Sequence, residues 1–262
     1  MNKTIEKVKS VGSSLLFLIS VITFTAYSVL TILGSTSVAG SIKSQILGFV
    51  GSHETLGQLI DGMGNIFSAM PVGTLVFGII NLLIAFGMWL SFFAFHSRNN
   101  PPSTKGMTLI KIMLVIHLII VVLSVVTCVG IVGFAAYAVF VAMSETGHIP
   151  TIFFIVGGCI IAAIVIVLAF TMAYYAGIFR TIKSVKMTLH TGVIMGKISV
   201  YVIVMNYIIA AVVLTGAVLS PYITQLIGGI CGAVSYVTCS VVLGTLRSEM
   251  LYISTKGSNY AD

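Results

Sequence analysis

Three polar side chains sit inside long apolar runs, where each needs a partner away from lipid: Asn81, His117 and Asn206. Of the three, only the imidazole changes charge near neutral pH and is suited to moving a proton. A relay needs a second titratable group, and every Asp and Glu lies outside the apolar runs. By residue count Asn81 falls toward one membrane face, His117 toward the other and Asn206 near the middle, so they do not converge on one binding plane. The expectation at all three is an interhelical hydrogen bond.

Metal and redox chemistry find less support. His53, Glu54, Asp61, Glu145 and His148 are residue types that ligate zinc, but their spacing matches no zinc pattern and they read as solvated loop polarity. Cys128, Cys159, Cys231 and Cys239 all fall in apolar runs with no Cys-x-x-Cys pair, which makes them small packing residues. There is no Gly-x-Ser-x-Gly, no His-Glu-x-x-His, no intramembrane Asp pair and no glycine-rich phosphate loop. The chain is therefore expected to be non-enzymatic, with no cofactor and no metal.

The elements that hold these residues follow from composition. Of 262 residues 58% are hydrophobic and 7% charged, against roughly 25% charged in a soluble domain. A soluble globular fold is excluded. Six apolar runs, 11–33, 74–95, 111–134, 151–176, 198–219 and 222–246, each have about the 20 residues needed to cross the hydrocarbon core. The fold class is all-α: a polytopic integral membrane helical bundle of six transmembrane helices in three hairpins, forming a single domain. The run 11–33 exceeds the roughly 7 to 15 residues of a signal-peptide core and reads as a retained anchor. Segment 34–72 lies between the first two spans. Its Leu56, Leu59, Ile60, Met63, Phe67 and Met70 recur at steps of three and four, predicting an outer amphipathic helix.

Charge sets the orientation. The net charge of +7 would suggest nucleic acid in a soluble protein, but here the cations cluster at the ends of apolar runs. The partners expected are the lipid bilayer and anionic head groups at the inner face, not nucleic acid. Of 13 Lys and Arg, all but Lys43 fall on the side of the connector 96–106, so both termini are expected in the cytoplasm. No Asn-x-Ser/Thr site falls on the other side, in keeping with a bacterial plasma membrane.

Two surfaces complete the reading. Arg180, Lys183 and Lys186 predict a basic helix over 178–197 lying along the inner head groups. Gly228, Gly232, Ser240 and Gly244, with Tyr236 between them, recur every four residues on the last span and predict a close helix-packing face. Span four carries a similar series, Gly158, Ala162, Ala169, Ala173 and Gly177. These features point to a non-catalytic structural or interaction component that packs with copies of itself or with another membrane subunit. The alternative is a transporter or permease subunit, partnered with a separate ATPase, which broken spans around a midplane cavity would favour.

Overall fold

The computed structural model describes residues 3–35, 64–144 and 151–258. Seven helices appear among them: α1 (Lys3–Gly12), α2 (Leu15–Leu33), α3 (Gly64–His96), α4 (Lys105–Ser144), α5 (Thr151–Thr191), α6 (Val200–Val218) and α7 (Ile223–Ser258). Helices α2 to α7 each contain a stretch long and apolar enough to cross a membrane. Their outward faces carry large apolar side chains such as Leu123, Val165, Val167 and Val212, each more than half exposed. In water such a surface would aggregate; in a bilayer it meets its natural solvent. The molecule is an all-helical multi-pass membrane protein.

The helices form a ring. Helix α2 packs against α3 on one side and α7 on the other, α4 flanks α3, α6 flanks α7, and α5 closes the circuit with lighter contacts to α4 and α6. Because α2, α6 and α4 begin, and α3, α5 and α7 end, at the same end of the ring, every described Lys and Arg gathers there. We call this the basic end.

Helix α1 is an element the apolar runs conceal. Residues 11 and 12, expected to open the first span, instead end α1, and the span starts at Leu15. The cause is local. Ile5, Val8 and Val11 recur every third residue and are buried, while Lys3, Glu6 and Lys7 face out. The Ser14 hydroxyl then accepts from the Phe17 amide at 3.3 Å and caps a new helix. Gly12 stands where a β-carbon would run into the Phe95 ring, so α1 can lie directly across α3. Lys7 pairs with Glu249 of α7 at 2.8 Å, and Lys9 donates to the Ser97 carbonyl at 2.7 Å. Together these contacts hold α1 over the basic end against α3, α5 and α7.

Three other boundaries differ from expectation. Helix α3 starts at Gly64, so the last part of segment 34–72 is continuous with the second span; residues 36–63, with the rest of the predicted amphipathic helix, lie outside the described residues. Helix α4 runs through Gly130 and Gly133 without a break, and at 40 residues is about 60 Å long, twice the hydrocarbon thickness. Helix α5 continues through 177–191 as one 41-residue helix, so the basic segment begins as its extension and is not a separate helix. Nothing in that stretch breaks a helix, and Val185 and Leu189 keep its apolar face turned into the bundle. The helix stops at Gly192, whose amide bonds the Thr188 carbonyl at 2.9 Å with φ at +69°, the left-handed stop that glycine adopts without strain.

The tight contacts use small groups. On α7, a β-carbon at Gly232 would lie 2.9 Å from the Tyr27 ring and one at Gly228 3.3 Å from Leu30, so both glycines are occupied by α2 of the same chain. Ser240 is fully buried and donates to the Ile203 carbonyl of α6 at 3.2 Å. Gly244 departs from the series, since nothing lies within 4 Å of its β-position. Between α3 and α4, a β-carbon at Gly106 would sit 2.5 Å from both the Gly87 carbonyl and the Ser91 hydroxyl. On α5, Ala162, Ala169 and Ala173 are exposed and Gly158 faces open space, so of that series only Gly177 packs, against Val202.

Candidate functional site: a cavity inside the ring

Inside the ring lies a cavity of about 280 Å³, floored at the basic end by Val8, Val11 and Gly12 of α1. Its wall is mostly apolar, with Phe24, Ile84, Met88 and Leu114 among the lining side chains. The polar exceptions matter. Asn81, His117 and Asn206 all line it, joined by Tyr174, Tyr236 and Cys239. The separate depths expected from residue count do not hold. The counting treated each helix as starting at the membrane edge, whereas these helices differ in length by a factor of two, from 19 to 40 residues, and are staggered. Rotation and stagger bring the three polar groups around one space.

Their bonding differs. Asn206 is 3% exposed, and its side-chain oxygen accepts from the Tyr174 hydroxyl, which ties α6 to α5. His117 lies beside two rings, Phe77 of α3 at 5.0 Å and Tyr175 of α5 at 5.9 Å, the latter edge-on. Its Nδ1 is buried and meets no hydrogen-bond partner among the described residues. Left bare, such a nitrogen costs about 1–3 kcal/mol. Asn81 makes no hydrogen bond among the described residues either, and lines the same space. Asn206 is thus bonded across two helices, while His117 Nδ1 and Asn81 line the apolar chamber with no hydrogen-bond partner among the described residues.

Helix α5 is held to its neighbours by further individual bonds of this kind. Beyond Tyr174, the Tyr201 hydroxyl of α6 donates to the Phe170 carbonyl at 3.0 Å, and Lys186 donates to Thr108 of α4 at 2.8 Å. Lys186 therefore leaves the predicted basic stripe. Two three-residue steps from Arg180 turn the helix about 120° away, which points Lys186 at α4. Arg180 and Lys183 are exposed.

Sequence reasoning missed several contributors. Ser20 of α2 and Ser235 of α7 exchange bonds, each hydroxyl donating to the other's carbonyl at 3.2 and 3.0 Å, and both line the cavity. Tyr174 and Tyr236 were hidden by their type, since tyrosine in an apolar run looks like packing. Among the described residues no three His, Cys, Asp or Glu side chains come together as a metal site would require. His53, Glu54, Asp61, Glu145 and His148 lie outside the described residues, and the side chain of Cys128 is not described.

No family model, characterised protein or solved structure is similar to this chain.

Proposed function

We propose that this chain is a transporter-like membrane subunit that holds an amphiphilic guest in the cavity and performs no bond chemistry of its own. The guest's apolar body would lie between the helices and its polar group on His117 and Asn81. The observation carrying this reading is the buried His117 Nδ1, without a hydrogen-bond partner among the described residues, in the wall of a mostly apolar chamber. A volume of about 280 Å³ is near the lower end of ligand pockets, which run from roughly 300 to 1,000 Å³. A separate ATPase is the partner to seek in a mild-detergent purification.

A matched ligand series tests it. The full chain in detergent is thermally denatured with octane, 1-octanol or octanoic acid present. The expected outcome is that a polar-headed compound raises the midpoint above octane by about 2–4 °C, the effect of about 1 kcal/mol in a chain of this size. In His117→Leu that difference should vanish. Equal shifts for all three compounds in the parent would overturn the reading.

A second reading, a non-catalytic interaction component that associates with copies of itself or another membrane subunit, is favoured by the exposed Ala162, Ala169 and Ala173 on α5. Under both readings the basic end is cytoplasmic, as the distribution of Lys and Arg supports. Anionic head groups of a bacterial plasma membrane then surround it. A cysteine replacing exposed Ser103, in a background without native cysteines, should resist an impermeant maleimide applied outside intact cells. Labelling there would reverse the orientation.

A further inference from the structure

Where α5 ends, the connector to α6 folds back onto it. The Met195 amide donates to the Thr188 hydroxyl at 3.2 Å, and Gly196, with φ at +98°, passes so close to Ser184 that a β-carbon there would lie 3.1 Å from the hydroxyl oxygen. This fold borders an open hollow of about 600 Å³ distinct from the central cavity. Its wall carries Arg180 and Lys183 from α5 and Lys197 from the connector. All three are exposed, and the ion pair found among the described residues, Lys7 with Glu249, lies elsewhere. Ser184 stands in the same wall, 4% exposed, and its hydroxyl has no hydrogen-bond partner among the described residues.

Three uncompensated cations around a buried bare hydroxyl have one obvious complement. We propose that this hollow binds a phosphate group, with Arg180, Lys183 and Lys197 neutralising its charge and the Ser184 hydroxyl donating to one of its oxygens. Arginine meets phosphate through two parallel N–H bonds and lysine as a point charge, so the set combines orientation with charge. Met187 and Met195 line the same hollow, 38% and 40% exposed, and give it an apolar shoulder against which acyl chains can run. That shoulder favours the phosphate of a lipid over a free anion. The proposal narrows the head-group contact at the basic end to a built pocket, and it stands independently of any guest in the central cavity.

Native mass spectrometry of the full chain, released from a neutral detergent, tests this with phosphatidic acid, phosphatidylcholine and inorganic phosphate as probes. The parent should retain phosphatidic acid in preference to phosphatidylcholine. Arg180→Gln with Lys197→Gln should raise the concentration needed by about tenfold, the scale of one charge-assisted hydrogen bond. Ser184→Ala should raise it by about threefold, while Lys186→Gln, which faces α4, and Lys105→Gln should leave it unchanged. Displacement of the lipid by millimolar inorganic phosphate would identify a free-phosphate site; resistance to it would identify a lipid site, and both results support the pocket. Retention that falls equally in Lys186→Gln and Lys105→Gln overturns the pocket and leaves only diffuse attraction to charged lipid. Absence of any phosphatidic acid or phosphate adduct on the parent overturns both.

Discussion

Helices α2, α3, α6 and α7 meet one another largely through glycines and hydroxyls, whereas α5, apart from Gly177 against Val202, meets its neighbours through tyrosines, a histidine ring and a lysine. In the most apolar stretch of α3 44% of residues are buried, against 6% in those of α4 and α5. The less buried helices are the more apolar, with mean hydropathy 2.9 in α4 and 2.4 in α5 against 2.2 in α3, so greater hydrophobicity cannot be what packs the dense side. In a bilayer, lipid tails solvate a leucine as well as another helix does, and close approach is favoured only where small side chains let backbones touch. The dense side has such places, Gly232 under Tyr27 and Ser20 against Ser235, and the first turn of α4 has one where it meets α3, Gly106 on Gly87. The open side has glycines too, but among the described residues Gly130, Gly133 and Gly158 face nothing within 4 Å. A glycine is thus a permission for contact, and the partner's shape decides whether it is used.

Glycine replacements should break this contrast most visibly. Gly106→Leu puts a side chain where two backbone atoms and the Ser91 hydroxyl already lie 2.5 to 2.6 Å from the new β-carbon, and should cost about 3 kcal/mol, at the upper end of overpacking. Gly158→Leu, in open space, should stay within about 0.5 kcal/mol of the parent. Thermal unfolding in detergent measures both. Equal losses would mean that α5 is packed as densely as α3.

Hydroxyl removal sharpens the same contrast on a smaller scale. Ser235→Ala deletes one half of the exchange with Ser20 and should cost about 0.6–1.5 kcal/mol, with little change in local opening because the surrounding helices stay packed. Tyr174→Phe removes a bond of similar strength but leaves the Asn206 oxygen unpaired beside the least-packed helix. Hydrogen exchange along the 170–180 stretch should accelerate in Tyr174→Phe and remain as in the parent in Ser235→Ala. The reverse pattern would make α2 and α7 the mobile pair.

The membrane bundle was legible because span length and hydropathy are set by the bilayer, and six long apolar runs can satisfy it in one way. The ring order was not, since nothing in an Ile- and Val-rich helix distinguishes lipid from protein as a neighbour. Convergence of Asn81, His117 and Asn206 was hidden for a related reason: depth along a helix is readable only when its end is pinned, and α4 and α5 overshoot the hydrocarbon thickness. Other details lay within reach. The departure of Lys186 follows from helical arithmetic alone, and α1 was signalled by Ile5, Val8 and Val11 followed by a capping serine. The phosphate hollow was beyond reach, because Lys197 joins Arg180 and Lys183 only through a backbone that doubles back at Gly192 and Gly196.

The exchanged bonds between Ser20 and Ser235 join residues 215 positions apart. At roughly 5–20 residues per second of synthesis, α2 enters the bilayer about 10 to 40 s before α7 exists to receive it. Over that interval its buried-to-be serines can only bond back to their own helix or to whatever assists insertion. The cavity, whose wall includes both serines and whose floor is α1 tied to Glu249, therefore comes into being only as the last span is laid down, so a truncated chain is left without an interior.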